Sequence, residues 1–286
     1  MRIRHRIVVI ALGLGILAFA VAVRAILVRR AVPSDVPAPI WGITIDSVGR
    51  IDEIEPAIQG FRHRLTARIV FDPGTTSSDC RPAMVRIAKH AWIMAEICDS
   101  YYMKKMDLAT FQAATREYYQ GLHDLVNIWE VGNEVNGDWL GKNEDTAAKI
   151  LYANSYIKAR GGRTALTLYW DCRPEAWDEI WAWGNQYLPP AFHRNVDYVL
   201  LSVYCPSLAD WGPIFRRLGT EYPGARVGFG EVGAEKENDK PACLRTYYGL
   251  KVDAPRYVGG YFWWFFTEDM LPKSKPMWKV LQEAIP

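Results

Sequence analysis

From Ile40 to the C-terminus, short apolar runs rich in β-branched and aromatic residues alternate eight times with longer amphipathic stretches. The strand candidates are Ile40–Asp46, Thr66–Phe71, Trp92–Cys98, Val126–Val131, Thr164–Trp170, Val196–Tyr204, Arg226–Gly230 and Tyr257–Phe265. Their starts fall 26, 26, 34, 38, 32, 30 and 31 residues apart, room for one strand, one helix and two loops each time. The intervening stretches open with helix-start signals: Asp52-Glu53, Ser78-Asp79, Thr110, Asn143-Glu144-Asp145, Pro174-Glu175 and Lys273-Ser274-Lys275-Pro276, with a turn signal at Cys205-Pro206-Ser207 before the sixth.

Strands that read as near-continuous apolar runs are buried on both faces, which predicts a parallel sheet covered by helices. Eight such units with no second kind of domain predict a closed sheet: an α/β fold, a single (β/α)8 barrel over residues 40–286. The alternative, a doubly wound open sheet, calls for a glycine-rich phosphate loop after the first strand, and Ile45-Asp46-Ser47-Val48-Gly49-Arg50 does not supply one. In a closed barrel the chemistry sits at the C-terminal ends of the strands.

The region ahead of the barrel differs in kind. Arg2, Arg4 and Arg6 precede an uncharged apolar run from Ile7 to Val23, and the pattern ends at Arg29-Arg30. Residues 1–30 read as a signal peptide or an uncleaved membrane anchor, and residues 31–39, with three prolines, as a semi-extended tether. Either reading exports the barrel, anchored at the inner membrane facing the periplasm or secreted. Without the first 30 residues the chain has 28 basic against 32 acidic residues, a formal charge of −4, with no basic face to suit nucleic acid. Of five cysteines, Cys172 and Cys205 follow neighbouring strands and are the pair placed for a disulfide; isolated buried thiols are the alternative.

The strand ends present Asp46, Asp72, Asp99, Asn133, Glu134, Trp170, Asp171, Tyr204, Glu231, Trp263 and Trp264, with Arg68 inside the second strand. No HxH or HExxH pattern argues for a metal, no GxSxG elbow for a serine nucleophile, and no histidine at a strand end for an activated cysteine. No cofactor is implied. Paired-carboxylate chemistry remains.

The segment Trp129-Glu130-Val131-Gly132-Asn133-Glu134 resembles the fourth-strand end of the large clan of retaining glycoside hydrolases built on TIM barrels (clan GH-A, the cellulase, mannanase and xylosidase type). Val227-Gly228-Phe229-Gly230-Glu231-Val232-Gly233 is similar to that clan's seventh-strand end. The resemblance implies Glu134 as acid/base and Glu231 as nucleophile, Arg68 and Tyr204 as supports of the nucleophile, Asn133 on the 2-hydroxyl of the sugar, and Trp263 or Trp264 beneath it. Val135 stands where many members have proline, and Ser202 where many have histidine, so the family within the clan stays open. With the carboxyls roughly 5 to 5.5 Å apart, one attacks the anomeric carbon while the other protonates the leaving oxygen, and configuration is retained.

Trp139, on the loop beyond Glu134, and Trp170, at the end of the fifth strand, are candidate sugar-stacking residues, and Asp46, Asp72, Asp99 and Asp171 are candidates for sugar hydroxyls. Glu130 is expected as a buried structural carboxylate, and Trp177, Trp181 and Trp183 as packing on the fifth helix. The expected substrate is a β-linked polysaccharide or oligosaccharide cut internally, its sugars neutral or amine-bearing to suit the acidic rim. A non-catalytic carbohydrate-binding barrel and a transglycosylase are the alternatives.

Overall fold

The structure, a computed structural model, describes residues 33–173, 177–204, 209–234 and 236–286. It is a closed barrel of eight parallel strands in sequential order. The strands are β1 Ile40–Ile45, β2 Thr66–Val70, β3 Trp92–Glu96, β4 Ile128–Gly132, β5 Thr164–Tyr169, β6 Tyr198–Val203, β7 Arg226–Val232 and β8 Gly259–Trp263. Each lies within a predicted run or is displaced from it by a residue or two. The eighth is shorter than its apolar run because Tyr257 reaches the sheet only through an isolated bridge to Val227.

The helices are α1 Ile51–Gln59, α2 Ser77–Ala88, α3 Ser100–Met103, α4 Leu108–Leu122, α5 Asn143–Lys158, α6 Trp177–Tyr187, α7 Pro190–Asn195, α8 Trp211–Glu221, α9 Lys240–Gly249, α10 Phe266–Met270 and α11 Pro276–Ala284. Polar caps set several starts. Thr76 and Asp79 form a reciprocal capping box on α2, and the Asp107 carboxylate caps α4 by accepting from the Thr110 amide at 2.7 Å.

Alternation along the strands separates two apolar layers. Ile43, Ala67, Ile69, Ile93, Ala95, Trp129, Leu166, Val199, Val227, Phe229 and Trp263 face the helices in the larger core. Ile40, Met94, Ile128, Ala165, Tyr198, Leu200 and Phe262 form a second cluster that includes Val36.

That cluster corrects the expectation of a tether over residues 31–39. Val36 is 1% exposed, the Asp35 carboxylate pairs with Arg226 at 2.6 Å and accepts from the Tyr198 hydroxyl at 2.7 Å, and the Pro33 and Ser34 carbonyls accept from Arg163 and Asn127. The N-terminal mouth of a barrel is a hole lined by apolar side chains, and one valine flanked by an anion closes it. The folded unit therefore begins at least at Pro33, and this segment lies at the end of the barrel opposite the strand C-termini. Residues 1–32, with the expected signal or anchor, lie outside the described residues, among which no helix is long and apolar enough to cross a membrane.

Cys172 is disulfide-bonded, while Cys80, Cys98 and Cys243 are free. Cys205, the partner expected from the sequence, lies outside the described residues, as do Pro174 and Glu175.

Candidate active site

Both strands that carry the glutamate motifs slip in register near their C-terminal ends, as β8 also does against β1. Between β4 and β5, Glu130 pairs with Ala165 but Gly132 with Leu166; between β6 and β7, Leu201 pairs with Phe229 but Val203 with Val232. An extra residue on one strand reverses the facing of everything after it. On β7, Phe229 and Val232 both pack outward, and the bulge between them lets Glu231 turn inward. Gly230 accommodates this turn, because a Cβ there would meet Thr167 Cγ2 at 2.7 Å. Glu134, just past β4, has φ of 52°, a left-handed conformation that costs a non-glycine residue on the order of 1–3 kcal/mol and is held by the contacts of its side chain.

Arg68 lies at the centre of the inner layer and is wholly buried. Its Nε donates to Glu130 Oε2 at 2.6 Å and its Nη1 to Glu231 Oε2 at 2.8 Å, while Nη2 sits 2.9 Å from Glu96 Oε2. Burial opposes the guanidinium charge, but the three carboxyls more than offset that and hold its pKa well above the usual value. Glu130 accepts at its other oxygen from the Thr167 hydroxyl. It is the buried structural carboxylate expected from the sequence.

Both oxygens of Glu231 are likewise filled, Oε1 by the Tyr204 hydroxyl and Oε2 by Arg68 with a longer contact from Asn133 Nδ2 at 3.4 Å. Burial raises its pKa above the usual carboxylate value, and the Arg68 charge with the hydrogen bonds from Tyr204 and Arg68 offsets that rise only in part. Glu134 stands differently. It has no cation in hydrogen-bond contact and accepts from Ser202 Oγ at 2.6 Å and Ser100 Oγ at 3.0 Å. Burial and then the charge of Glu231 raise its pKa to about 8, against the two serine hydrogen bonds. One carboxyl is thus arranged to hold a negative charge beside an arginine, the other to hold a proton near neutrality.

Of the other sequence candidates, the structure brings Asn133 and Tyr204 to the same cluster. The tryptophan pair separates: Trp263 is wholly buried with its indole N–H donating to Asp269 Oδ2 at 2.7 Å, so it is a packing residue, not a sugar platform. Trp264 is half-buried at the strand end, and its carbonyl lies by Gly233 on the Tyr204 side. Trp139 and Trp170 line a cavity of about 210 Å³ beyond β4 and β5 with Asn136, Tyr169, Asp171 and Arg173. Trp170 is 2% exposed and packs edge-on against Trp181 and Trp211, so its main role is in the core. Trp181 and Trp183 are buried as expected, while the Trp177 side chain lies outside the described residues.

Asp171 pairs with Arg173 at 2.5 Å. Asp46 accepts from the Thr267 hydroxyl, and burial raises the carboxyls of both Asp46 and Asp72. Asp99 caps α3 through the Tyr101 amide at 2.7 Å.

Sequence reasoning missed Glu96, Ser100, Ser202 as a ligand of Glu134, and Thr167. Two of these had a visible signal. Glu96 shares inward parity with Met94 on β3, and Ser202 lies two residues before Tyr204 on an inward position. Ser100 follows a strand end on a loop, where parity carries no information.

No protein-family model matches this chain, and a search of curated proteins finds no match. Solved structures do share the barrel. Saccharomyces cerevisiae Gas2p, a mutant in complex with laminaritetraose and laminaripentaose, superposes with a TM-score of 0.55 at 15% identity over 87% of this chain. The match spans 63% of the yeast chain, under two thirds of its length. A GH10 xylanase from Thermobacillus composti gives 0.56 at 11% identity, covering 86% of this chain and 96% of the xylanase. A beta-glucosidase from Exiguobacterium marinum gives 0.53 at 11% identity, covering 77% and 78%. Likeness at these identities establishes the shared (β/α)8 fold.

Proposed function

We propose that this protein is a retaining glycoside hydrolase acting on a β-linked glycan, with Glu231 as nucleophile and Glu134 as acid/base. The observation that carries the reading is the unlike placement of the two carboxyls on β7 and β4: Glu231 locked by Arg68 and Tyr204, Glu134 buried, cation-free and raised to about 8. In the first step a Glu231 oxygen bonds to the anomeric carbon as the glycosidic bond breaks, and the Glu134 proton goes to the departing oxygen. In the second, Glu134 takes a proton from water, whose oxygen displaces Glu231 from the same carbon. Asn133, within reach of Glu231, is positioned for the 2-hydroxyl, and Trp264 for the sugar face. The motifs at Asn133-Glu134 and Glu231 and a fold shared with a xylanase, a beta-glucosidase and a laminari-oligosaccharide-binding protein support a β-glycan as substrate. Internal cleavage suits the compact barrel, in which few insertions are present to wall off the cleft.

Location is part of the same proposal. Residues 1–30 carry the pattern of an export signal or anchor, and residues 33–39 run along the barrel end opposite the catalytic groups. An anchored chain would thus present its catalytic mouth away from the membrane, towards an exported or surface glycan.

The test uses a panel of β-linked glucans, mannans, xylans, galactans and bacterial exopolysaccharides, scored for product length over time, followed by Glu231→Gly on the responsive substrate. Azide added to that variant is expected to restore bond cleavage and yield a glycosyl azide of inverted configuration. Near wild-type hydrolysis by Glu231→Gln or Glu134→Gln would overturn the assignment.

A further inference from the structure

A cavity of about 520 Å³ lies outside the catalytic hydrogen-bond network, between the chain that follows α3 and the start of α5. Its wall carries Lys104, Lys105, Lys142 and Lys149, with Asp107 and Asp145 as the acids. Asp107 is already engaged as the cap of α4. Among the described residues the lysine ion pairs belong to Lys158, Lys240 and Lys279, so none of the four cavity lysines has a carboxylate partner. The Lys105 ammonium lies over the Tyr101 ring at 3.5 Å, and four lysines against two acids leave the lining with an excess of positive charge that focuses a positive potential into the cavity.

Two features make this more than a solvated surface. Lys149 is 4% exposed and gives one of its three donors to the Met103 carbonyl at 2.7 Å. Burial pulls its pKa down, against the opposing effect of Cys98, Asp145 and Asp107. In addition, α5 is a 16-residue helix whose first turn receives no side-chain cap, and Gly141, Lys142 and Asp145 put that N-terminus on the cavity wall. Uncapped amides and the helix dipole add partial positive charge at the same place, offset in part by Glu144 and Asp145 in that first turn.

The two chain segments that line the cavity lead directly from residues of the catalytic network. Ser100, which donates to Glu134, is the first residue of α3, and Trp139, whose indole donates to Ser100 at 3.2 Å, stands just before Leu140-Gly141-Lys142. We propose that this cavity binds an anionic substituent, a carboxylate or a phosphoryl group, on a sugar unit near the one cleaved. The inference rests on the glycan-cleaving reading above and refines its substrate class. Asp46, Asp72 and Asp99 leave the remainder of the mouth acidic, so the charged substituent is directed to this side and the reacting sugar stays neutral or amine-bearing.

The test reads binding without turnover. Sodium glucuronate and inorganic phosphate are titrated calorimetrically into the full chain, into Lys104→Gln/Lys142→Gln, and into Lys149→Met. Saturable binding to the wild type that weakens about tenfold or more in the exposed-lysine pair, and weakens further with added salt, is expected. Tighter glucuronate points to a carboxylated sugar, tighter phosphate to a phosphoryl substituent. Equal affinity in the wild type and the Lys104→Gln/Lys142→Gln pair, or no saturation by either anion, overturns the proposal even should Lys149→Met fail to fold. Loss of the glycosidase reading would instead show as an active Glu231→Gln protein, with anion binding untouched.

Discussion

Arg68 Nη2 lies 2.9 Å from Glu96 Oε2, yet among the described residues neither Glu96 oxygen accepts a hydrogen bond. The well-directed donors of the guanidinium go to Glu130 and Glu231 instead. One buried cation faces three carboxyls, and an unpaired buried carboxylate is costly, so a proton must be taken up within the cluster. The donor pattern puts it on Glu96, whose pKa burial pushes well above the carboxylate range in spite of the Arg68 charge.

Glu96→Gln copies the shape of a neutral acid and is expected to change stability by no more than about 1 kcal/mol and to leave the rate near wild type. Glu130→Gln removes a partner that Arg68 and Thr167 both address, and should cost about 3–5 kcal/mol. Urea unfolding of the two variants side by side checks this. Equal damage from both would mean that Glu96 is ionised.

The neighbouring tryptophans should respond oppositely. Trp263 fills the core and anchors Asp269, so Trp263→Ala is expected to lose about 3–5 kcal/mol of stability. Trp264, half-buried at the mouth, should tolerate Trp264→Ala in unfolding experiments but raise KM by about tenfold as a sugar face loses its platform. A stable Trp264→Ala enzyme with unchanged KM would remove it from the site.

Most of the barrel was legible because its signal is periodic: eight apolar runs at one-unit spacing admit few folds, and all eight became strands. Glu134, Glu231, Arg68 and Tyr204 were legible because their motifs fall on particular strands. What sequence alone could not show was which way each side chain faces after a register slip. Strict alternation from Phe229 would have turned Glu231 outward, and only the β7 bulge turns it in. Nor was the closure of the barrel base legible, since Val36 among prolines looks like linker until the hole it fills is seen. Ser100 and the uncapped start of α5 belong to loops, where local pattern says little about spatial neighbours.

The pH dependence follows from Glu134. In the proposed role of protonating the leaving oxygen it must carry its proton, so kcat/KM is expected to fall as pH rises through about 8. Ser202 and Ser100 donate to its charged form and so hold that value down. Ser202→Ala removes the shorter hydrogen bond, and its alkaline limb should therefore move to higher pH; a limb that stays put or moves to lower pH would exclude Glu134 as the titrating acid. Stability carries the same sign. A carboxyl with a raised folded-state pKa stabilises the fold fully below its unfolded value, about 4.3, and that contribution declines as pH rises and is lost on passing about 8. Glu134→Gln stays neutral throughout, so its Tm relative to wild type should climb across this window and level off above it. Thermal scans of both proteins from acid to alkaline buffer measure the difference, which includes the response of the neighbouring Glu231 to the lost charge.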